Sequence, residues 1–197
     1  LTDDIVVVDS HSEDSTAEIC RSFGARVFER TWEGYSRAKN FGNSQAKHPW
    51  ILSIDADESL SPQLIESVRT ILESEPDKNQ VFSFNRLTNY CGRWIRHCGW
   101  YPDKKIRIWN REVGRWEGDI HEVIEFEHSP AEKFLKGDLL HYSYYTIQEH
   151  IRQVNRYTSL SAGNLFRQGK RVGFFKLNLS PMVKFFRDYI LRAGFLD

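Results

Sequence analysis

Two carboxylates stand two residues apart at the end of an apolar run that is typical of a strand. The run spans residues 50–54, and Asp55, Ala56 and Asp57 follow it. If the extended backbone continues, its period of two places Asp55 and Asp57 on the same side of the chain. Carboxylate oxygens are ligands that Mg²⁺ or Mn²⁺ accepts when it bridges a diphosphate. The pattern predicts a metal–diphosphate site, and the alternative is a turn in which one aspartate caps the next helix.

A second strand-like run, residues 5–8, also ends in a carboxylate, that of Asp9, and Ser10 follows it. The carboxylate could accept a hydrogen bond from a base N–H, with Ser10 close to the ligand. Because ligands bind at the carboxyl ends of strands in open α/β sheets, two acidic strand ends favour a binding site over a plain polar loop. The segment Arg37–Asn40 lies on a predicted helix between them, and one of its cations could reach a pyrophosphate; a solvated helix face is the alternative.

The elements that must position these residues alternate between strand and helix in the first half of the chain. Strand patterns cover residues 5–8, 25–28, 50–54 and 81–84. Helix signals between them are a capping box at Ser15, a helical pattern over 34–46, and Ser61 as a cap before Pro62. This βαβα order predicts an α/β fold with a mostly parallel central sheet flanked by helices.

The second half of the chain changes character. Residues 89–145 hold short strands, aromatic residues and turns, and a capping box at Thr146 opens helices that occupy 146–197. We expect a single domain in three parts, residues 1–88, 89–145 and 146–197. The chain starts in a strand pattern and stops after an apolar helical stretch, so we also expect a domain truncated at both ends.

Composition narrows the function classes. The 197 residues carry 27 Lys and Arg against 27 Asp and Glu, so no global field favours nucleic acid. No apolar run reaches about 18 residues, so no transmembrane span is expected. Three cysteines without a C-x-x-C pair indicate a reducing, cytoplasmic compartment and argue against a zinc site. Aromatic residues make up 14% of the chain, which suits sugar binding and ordinary cores alike.

In their order along the chain, these motifs resemble the family-2 glycosyltransferases, which have the GT-A nucleotide-sugar-binding fold. The first half contributes Val7–Thr16, Ala38–Asn40 and Ile54–Glu58. Later segments look like the bacterial lipopolysaccharide core heptose glucosyltransferases and their relatives. These segments are Gly99–Pro102 with Lys105–Ile108, Trp116–Glu122 and Gly137–Tyr144.

The resemblance implies that residues 1–88 form the nucleotide-sugar-binding half and residues 89–145 the acceptor and catalytic half. It also implies roles for the matching residues. Asp9 would bind the nucleotide base, with Ser10 beside it, and Lys39 would lie near the diphosphate. Asp57 would be the principal ligand of Mg²⁺ or Mn²⁺, and Asp55 would touch the ribose or the metal. His141 would complete the metal shell, and a hydrogen-bonded core histidine is the alternative there.

Enzymes of this family usually invert the anomeric centre, with one carboxylate as general base on the acceptor hydroxyl. Glu122, beside His121, is our first candidate for that base and Asp119 is the second. A surface Glu–His pair is the alternative. Trp100, Tyr101 and Trp116 are candidates for stacking on sugar rings, and ordinary packing is the alternative for all three.

The resemblance therefore implies transfer of a hexose from a UDP-sugar to a lipopolysaccharide-core or other cell-envelope glycan. Glucose is the first candidate for the hexose. Two other functions stay open: a non-catalytic nucleotide- or sugar-binding paralogue, and a haloacid-dehalogenase-type phosphatase. Basic and aromatic residues occur together over Lys184–Arg187 at helical spacing, which predicts peripheral contact with the inner face of the cytoplasmic membrane. Core packing explains that pattern equally well.

Overall fold

Short strands and helices alternate over the first third of the chain, as the sequence pattern predicts. In the computed structural model, which describes residues 1–118 and 122–197, seven elements precede the long strands. They are β1 (Val6–Asp9), α1 (Thr16–Ser22), β2 (Arg26–Glu29), α2 (Tyr35–Gln45), β3 (Trp50–Leu52), β4 (Glu58–Leu60) and α3 (Pro62–Glu73).

Strands dominate the middle of the chain and helices its end. The strands are β5 (Gln80–Tyr90), β6 (Arg93–Ile95), β7 (Lys104–Asn110), β8 (Gly114–Glu117), β9 (Val123–Phe126) and β10 (Ala131–Tyr144). The helices are α4 (Ile147–Arg167), α5 (Phe174–Phe185), a π-helical segment (Phe186–Leu191) and a 3₁₀ turn (Gly194–Leu196). No helix among the described residues is both long and apolar enough to cross a membrane.

The chain forms two units, each built from three segments. Unit 1 comprises Leu1–Asp55, Ser61–Phe84 and Lys104–Gly137. Unit 2 comprises Ala56–Leu60, Asn85–Asp103 and Asp138–Asp197. This division differs from the boundaries expected at residues 88 and 145, because both units take residues from either side of residue 88.

In unit 1, β1 and β2 form a parallel pair in which Val6 lies opposite Arg26. β3 pairs antiparallel with β7, so that Ile51 lies opposite Trp109. Ile51 and Trp109 belong to the buried core cluster of this unit, together with Val81 and Trp116. β8 and β9 form a separate antiparallel pair. The alternation of side chains along β7 directs Arg107 and Trp109 to the same face.

In unit 2, β4 pairs antiparallel with β10, which sets Glu58 opposite His141. β6 pairs antiparallel with the end of β5. Cys91 and Gly92 join these two strands with φ angles of 50° and 89°. Positive φ at both positions is what a tight two-residue hairpin turn requires.

The α/β class is confirmed, but strand directions differ in part from the mostly parallel sheet that the sequence pattern predicts. The six-stranded sheet has the order β3-β7-β5-β10-β4, with β6 beside β5. The β1–β2 pair is parallel, whereas β3–β7, β5–β6, β8–β9 and β4–β10 are antiparallel. A parallel sheet was predicted because strands and helices alternate in the first half of the chain. That alternation does not show in which direction the later strands join the same sheet.

Two local expectations at the ends of elements are also corrected. β3 ends at Leu52 rather than at Ile54, and a turn at Ala56 and Asp57 leads into β4, which the sequence pattern did not predict. Extended geometry therefore does not continue from Asp55 to Asp57. The capping box expected at Ser15 is absent, because its φ and ψ of −76° and 14° lie outside the extended region that a capping side chain needs.

Other caps form as predicted. The Ser61 hydroxyl accepts a hydrogen bond from the Leu64 N–H, and Pro62 occupies the first turn of α3. Thr146 and Glu149 complete a full capping box at the start of α4. β10 approaches α3 closely at Gly137, whose φ is 97° and where a Cβ would collide with the backbone of Leu64.

Helical spacing in α3 buries Leu64 completely and leaves Leu72 39% exposed. We therefore expect Leu64→Ala to lower the free energy of unfolding by about 2–5 kcal/mol, because it removes a packed side chain and leaves a cavity. Leu72→Ala, the same change in the same helix, is the control, with an expected loss below about 1 kcal/mol. Urea unfolding followed by circular dichroism measures both, and equal losses would contradict this packing.

Candidate nucleotide-sugar site

Four charged side chains of unit 1 meet at the end of β3. The Asp55 carboxylate lies 3.0 Å from Lys39 Nζ through Oδ1 and 3.1 Å from Arg107 Nη2 through Oδ2. The same Lys39 Nζ donates to Glu122 Oε1 at 3.1 Å. We call Lys39, Asp55, Arg107 and Glu122 the Asp55 cluster. It holds two cations and two carboxylates, so its formal charges balance.

Each member of the cluster comes from a different part of unit 1. Lys39 lies on α2, Asp55 follows β3, Arg107 lies on β7 and Glu122 precedes β9. Lys39 was predicted to lie near the diphosphate of the nucleotide. Its contacts with Asp55 and with Glu122 were not predicted. The structure thus joins a candidate donor-binding residue to the candidate base.

The indole of Trp116 packs beneath the two cations of the cluster. Its ring centroid lies 4.5 Å from Lys39 Nζ and 5.9 Å from Arg107 Cζ, distances at which cation–π attraction acts. Asn40 fixes Trp116 by bonding both its backbone N–H and its C=O. Trp116 is only 5% exposed and packs edge-on against Trp109. Its burial favours the packing alternative over the predicted sugar-stacking role.

Electrostatics keep Asp55 ionised. Partial burial raises the pKa of its carboxyl, but the charges and hydrogen bonds of Arg107 and Lys39 outweigh that effect, and the net shift is downward. Arg107 is the more enclosed of the two cations, with a side chain only 6% exposed. A buried guanidinium requires a counterion, and Asp55 supplies one.

The second acidic strand end, Asp9, is also in unit 1. Its carboxylate accepts hydrogen bonds from the Ser12 hydroxyl at 2.6 Å and from the Ser12 N–H at 2.9 Å. These two bonds lower the pKa of Asp9 despite the opposing effect of burial. Ser10, predicted to lie near the ligand, is exposed. Asp9 is therefore an ionised acceptor held by its own loop.

In unit 2, Asp57 pairs with His141. Asp57 Oδ2 lies 3.1 Å from His141 Nε2, and the pairing of β4 with β10 brings this part of β10 to the turn. The Asp57 carbonyl oxygen also accepts a hydrogen bond from the Tyr142 N–H. His141 Nδ1 lies 3.5 Å from the Thr88 hydroxyl. The predicted association of His141 with the aspartate motif is thus present through Asp57.

The Asp57–His141 pair offers one carboxylate and one imidazole, donors that a divalent cation accepts. Within residues 1–118 and 122–197, no group of three or more His, Cys, Asp or Glu side chains is gathered to hold a metal ion. Mg²⁺ sites in nucleotide enzymes commonly take one or two protein ligands and fill the rest with phosphate oxygens and water. The donors present fit a metal that arrives with its diphosphate. The metal role predicted for Asp55 would compete with its two ion pairs.

Two aromatic candidates for sugar contact, Trp100 and Tyr101, lie in unit 2. Trp100 is partly exposed and packs edge-on against Tyr90. Tyr101 donates its hydroxyl to Asp138 and accepts from Asn85, so that the hydroxyl serves contacts within unit 2. Asp119, the second candidate base, and His121, the neighbour of the first candidate Glu122, lie outside the described residues.

Sequence reasoning missed Arg107, which contacts Asp55 from 52 positions away. A signal was present, since the period of two along β7 aligns Arg107 with the apolar Trp109 on a buried face. An arginine on such a face requires an anionic partner. In unit 2, Arg86 similarly lies between the buried Glu58 and Asp103.

Comparison with known proteins assigns the chain to a family. The family described as Glycosyl transferase family 2 matches residues 1–122. The chain belongs to this family. Its members transfer sugars, and the match includes Asp9, Lys39, the Asp55–Asp57 segment and Glu122, whereas His141 lies beyond it. The family predicted from the motifs is confirmed, and the phosphatase alternative loses its basis because the same aspartates lie inside a glycosyltransferase match.

Two of the similar proteins are named glycosyltransferases, and a third is named for its TPR repeats. The chain is 29% identical over its full length to an uncharacterized glycosyltransferase of Rickettsia typhi, of which it covers 70%. It is 31% identical, over 94% of its length, to the lipopolysaccharide core biosynthesis glycosyltransferase LpsC of Rhizobium meliloti, of which it covers 71%. A TPR repeat-containing protein of Synechococcus elongatus is 30% identical over 62% of this chain and 29% of that protein.

The role of Ser12 in this glycosyltransferase can be tested by titration. Ser12→Ala removes the hydroxyl that contributes most to the low pKa of Asp9, so we expect that pKa to rise toward its usual value. A depressed carboxyl pKa stabilises the fold above the unfolded-state value of about 3.9, and this stability is lost as pH falls through the folded-state pKa. At about pH 6 the free energy of unfolding of the variant should therefore be lower than that of wild type. Near pH 2 the two free energies should be similar.

Carbon-detected NMR titration of the aspartate carboxyls measures the pKa, and urea unfolding at the two pH values measures the stability. Ser22→Ala is the matched control, because the Ser22 hydroxyl bonds a backbone carbonyl within α1 rather than a carboxylate. An Asp9 pKa unchanged by Ser12→Ala would contradict the assignment.

Proposed function

We propose that this family 2 glycosyltransferase transfers a hexose, with UDP-glucose as the first candidate donor, to a lipopolysaccharide-core or related cell-envelope glycan. The proposal includes inversion of the anomeric centre and dependence on Mg²⁺ or Mn²⁺. Family membership supports a nucleotide-sugar donor and a glycan acceptor. Similarity to LpsC supports the choice of acceptor.

The observation that carries the proposal is the Asp55 cluster. A lysine, a buried arginine and two carboxylates meet within 3.1 Å contacts at a strand end, where α/β folds bind ligands. The cations suit the negative charge of a diphosphate, and Asp55 keeps both of them aligned before a donor arrives. Their carboxylate partner is partly exposed, so a phosphate could approach the same cations.

Asp9 is the proposed contact for the nucleotide base. Its low pKa keeps the carboxylate charged, and a charged carboxylate accepts the N–H of a pyrimidine ring as a strong hydrogen bond. The exposed Ser10 follows directly along the chain. A uracil base carries a suitable ring N–H, which supports UDP as the nucleotide.

The proposed metal ligands are Asp57 and His141. When bound, a divalent cation would supply charge neutralisation for the departing nucleoside diphosphate. The imidazole contact leaves the Asp57 carboxylate about half exposed, with side-chain exposure of 47%. This accessibility suits a ligand that must meet phosphate oxygens as well as protein.

Glu122 is the proposed general base. In an inverting displacement, the acceptor hydroxyl oxygen forms a bond to the anomeric carbon while the bond from that carbon to the diphosphate oxygen breaks. The hydroxyl proton passes to the Glu122 carboxylate, and the electron pair of the broken bond leaves with the nucleoside diphosphate. Lys39 holds Glu122 through one oxygen, Oε1, and fixes its position near the cluster.

The donor site is tested by calorimetric titration of UDP with and without Mn²⁺. We expect Asp57→Asn to weaken metal-dependent UDP binding by at least about tenfold, since it removes the charged proposed ligand. The exposed Asp77 provides the control, and Asp77→Asn should leave binding unchanged. Equal UDP affinity with and without metal, in wild type, would contradict metal dependence.

The base is tested by steady-state kinetics with UDP-glucose and an extracted lipopolysaccharide-core acceptor. Glu122→Gln keeps the acceptor oxygen that faces Lys39 but cannot take a proton, so we expect kcat to fall by about 10²–10⁴-fold. UDP affinity should change by less than about threefold, because the charge removed is not a proposed donor contact. Glu125→Gln, an exposed neighbour on β9, is the control.

The two alternatives give different results in that assay. Unchanged kcat in Glu122→Gln would reject Glu122 as the base. Tight UDP binding by wild type without any turnover would indicate the non-catalytic paralogue.

A further inference from the structure

The C-terminal part of unit 2 exposes large apolar side chains along its whole length. No residue of α5 is buried, and its apolar side chains from Phe174 to Phe185 are between 56% and 82% exposed. The π-helical segment continues this surface with Phe186 and Leu191. Exposed apolar area of this extent is unusual for a surface that faces only water, and it marks a contact with a partner or a membrane.

The same region carries a strong positive charge. Residues 166–196 contain seven Lys or Arg and one Asp, a net charge of +6, although the formal net charge of the whole chain is zero. The single acid, Asp188, bonds both Lys184 and Arg187. Hydrogen bonds from Arg187 and then from Lys184 lower the pKa of Asp188, so it stays ionised. Six positive charges of residues 166–196 are therefore not balanced by an acid within that range, and such an excess favours an anionic partner.

The two lysines of α5 lie on one side of a helix that is otherwise largely apolar. Projected at about 100° per residue, Lys176 and Lys184 fall within an arc of about 80°. Exposed apolar side chains occupy most of the rest of the helix: Phe174, Phe175, Leu177, Leu179, Met182, Val183 and Phe185. Basic residues beside exposed aromatic and aliphatic side chains suit a lipid–water interface.

We propose that residues 174–191 dock this enzyme on an anionic lipid surface. The aromatic and aliphatic side chains would enter the headgroup–acyl boundary, while Lys176, Lys184 and Arg187 contact lipid phosphates. Charge complementarity favours lipid over a second copy of this chain, because two such segments would repel each other. The proposal goes beyond the transfer reaction and does not depend on it.

Vesicle co-sedimentation of the 197-residue chain tests the proposal without donor or acceptor. We expect binding to phosphatidylcholine vesicles that contain about a third phosphatidylglycerol, and at least about tenfold weaker binding to phosphatidylcholine alone. About 1 M salt, which shortens the Debye length to about 3 Å, should weaken binding to the anionic vesicles.

The apolar contribution is tested with Phe175→Glu combined with Phe186→Glu, for which we expect at least about tenfold weaker vesicle binding. Phe23→Glu is the matched control, since Phe23 in unit 1 is 81% exposed and Phe175 is 82% exposed. The basic contribution is tested with Lys176→Glu against Lys133→Glu, an exposed lysine of unit 1. Circular dichroism of each variant verifies that it is folded.

Weaker binding of the α5 variants with unchanged binding of both controls supports the proposal. Failure of the wild-type chain to bind anionic vesicles would overturn it, as would equal binding by Phe175→Glu/Phe186→Glu. Light scattering measures the oligomeric state of the same samples. If the wild-type chain forms a dimer but does not bind vesicles, and Phe175→Glu/Phe186→Glu makes that dimer dissociate, this surface binds a second copy of the chain instead of lipid. Nucleotide binding and turnover are measured separately, so failure here leaves the proposed reaction unaffected.

Discussion

Arg107 and Lys39 both depend on the carboxylate of Asp55, and much of unit 1 is arranged around that dependence. The Arg107 guanidinium is almost fully enclosed on β7, where an unpaired charge would be costly. Asp55 balances it from the end of β3, the strand that pairs with β7. The same carboxylate reaches Lys39 on α2. The Asp55 carboxylate, which follows β3, therefore forms ion pairs with a residue of α2 and a residue of β7.

The cluster also explains how buried charge and ligand binding coexist in this unit. The indole ring of Trp116 lies near the charged ends of both cations, Lys39 Nζ and Arg107 Cζ, and these charged ends also pair with Asp55. Asn40 satisfies the backbone of Trp116 and fixes α2 against β8. The residues proposed to act on the donor are thus supported by packing, which limits the conformational freedom that binding would otherwise remove.

The net charge of the chain is zero, but charged residues and exposed apolar residues are distributed unevenly along it. The acidic residues concentrate before residue 166, and the C-terminal segment is strongly basic and apolar on its surface. A composition average detects neither property. A sugar transferase whose acceptor is embedded in a membrane would combine a donor-binding α/β unit with a lipid-facing helix, and the two proposals made for this protein are compatible in that sense.

The sequence by itself determined the local elements and the chemical types at the site. Ser61 with Pro62 predicted the start of α3, and Thr146 predicted the capping box of α4. Asp9, Lys39 and the aspartate motif were candidate site residues from their types and their positions along the chain. These signals are readable because caps and periodicity act between residues only a few positions apart.

The tertiary structure decided which of these side chains meet. Glu122 contacts Lys39 from 83 positions away, and Arg107 contacts Asp55 from 52 positions away. The turn at Ala56 and Asp57 separates the roles of two aspartates that the sequence pattern had treated as one pair. Trp116, an aromatic candidate for sugar stacking, became part of the core. Such contacts depend on how distant elements pack, and periodicity within one element contains no information about that.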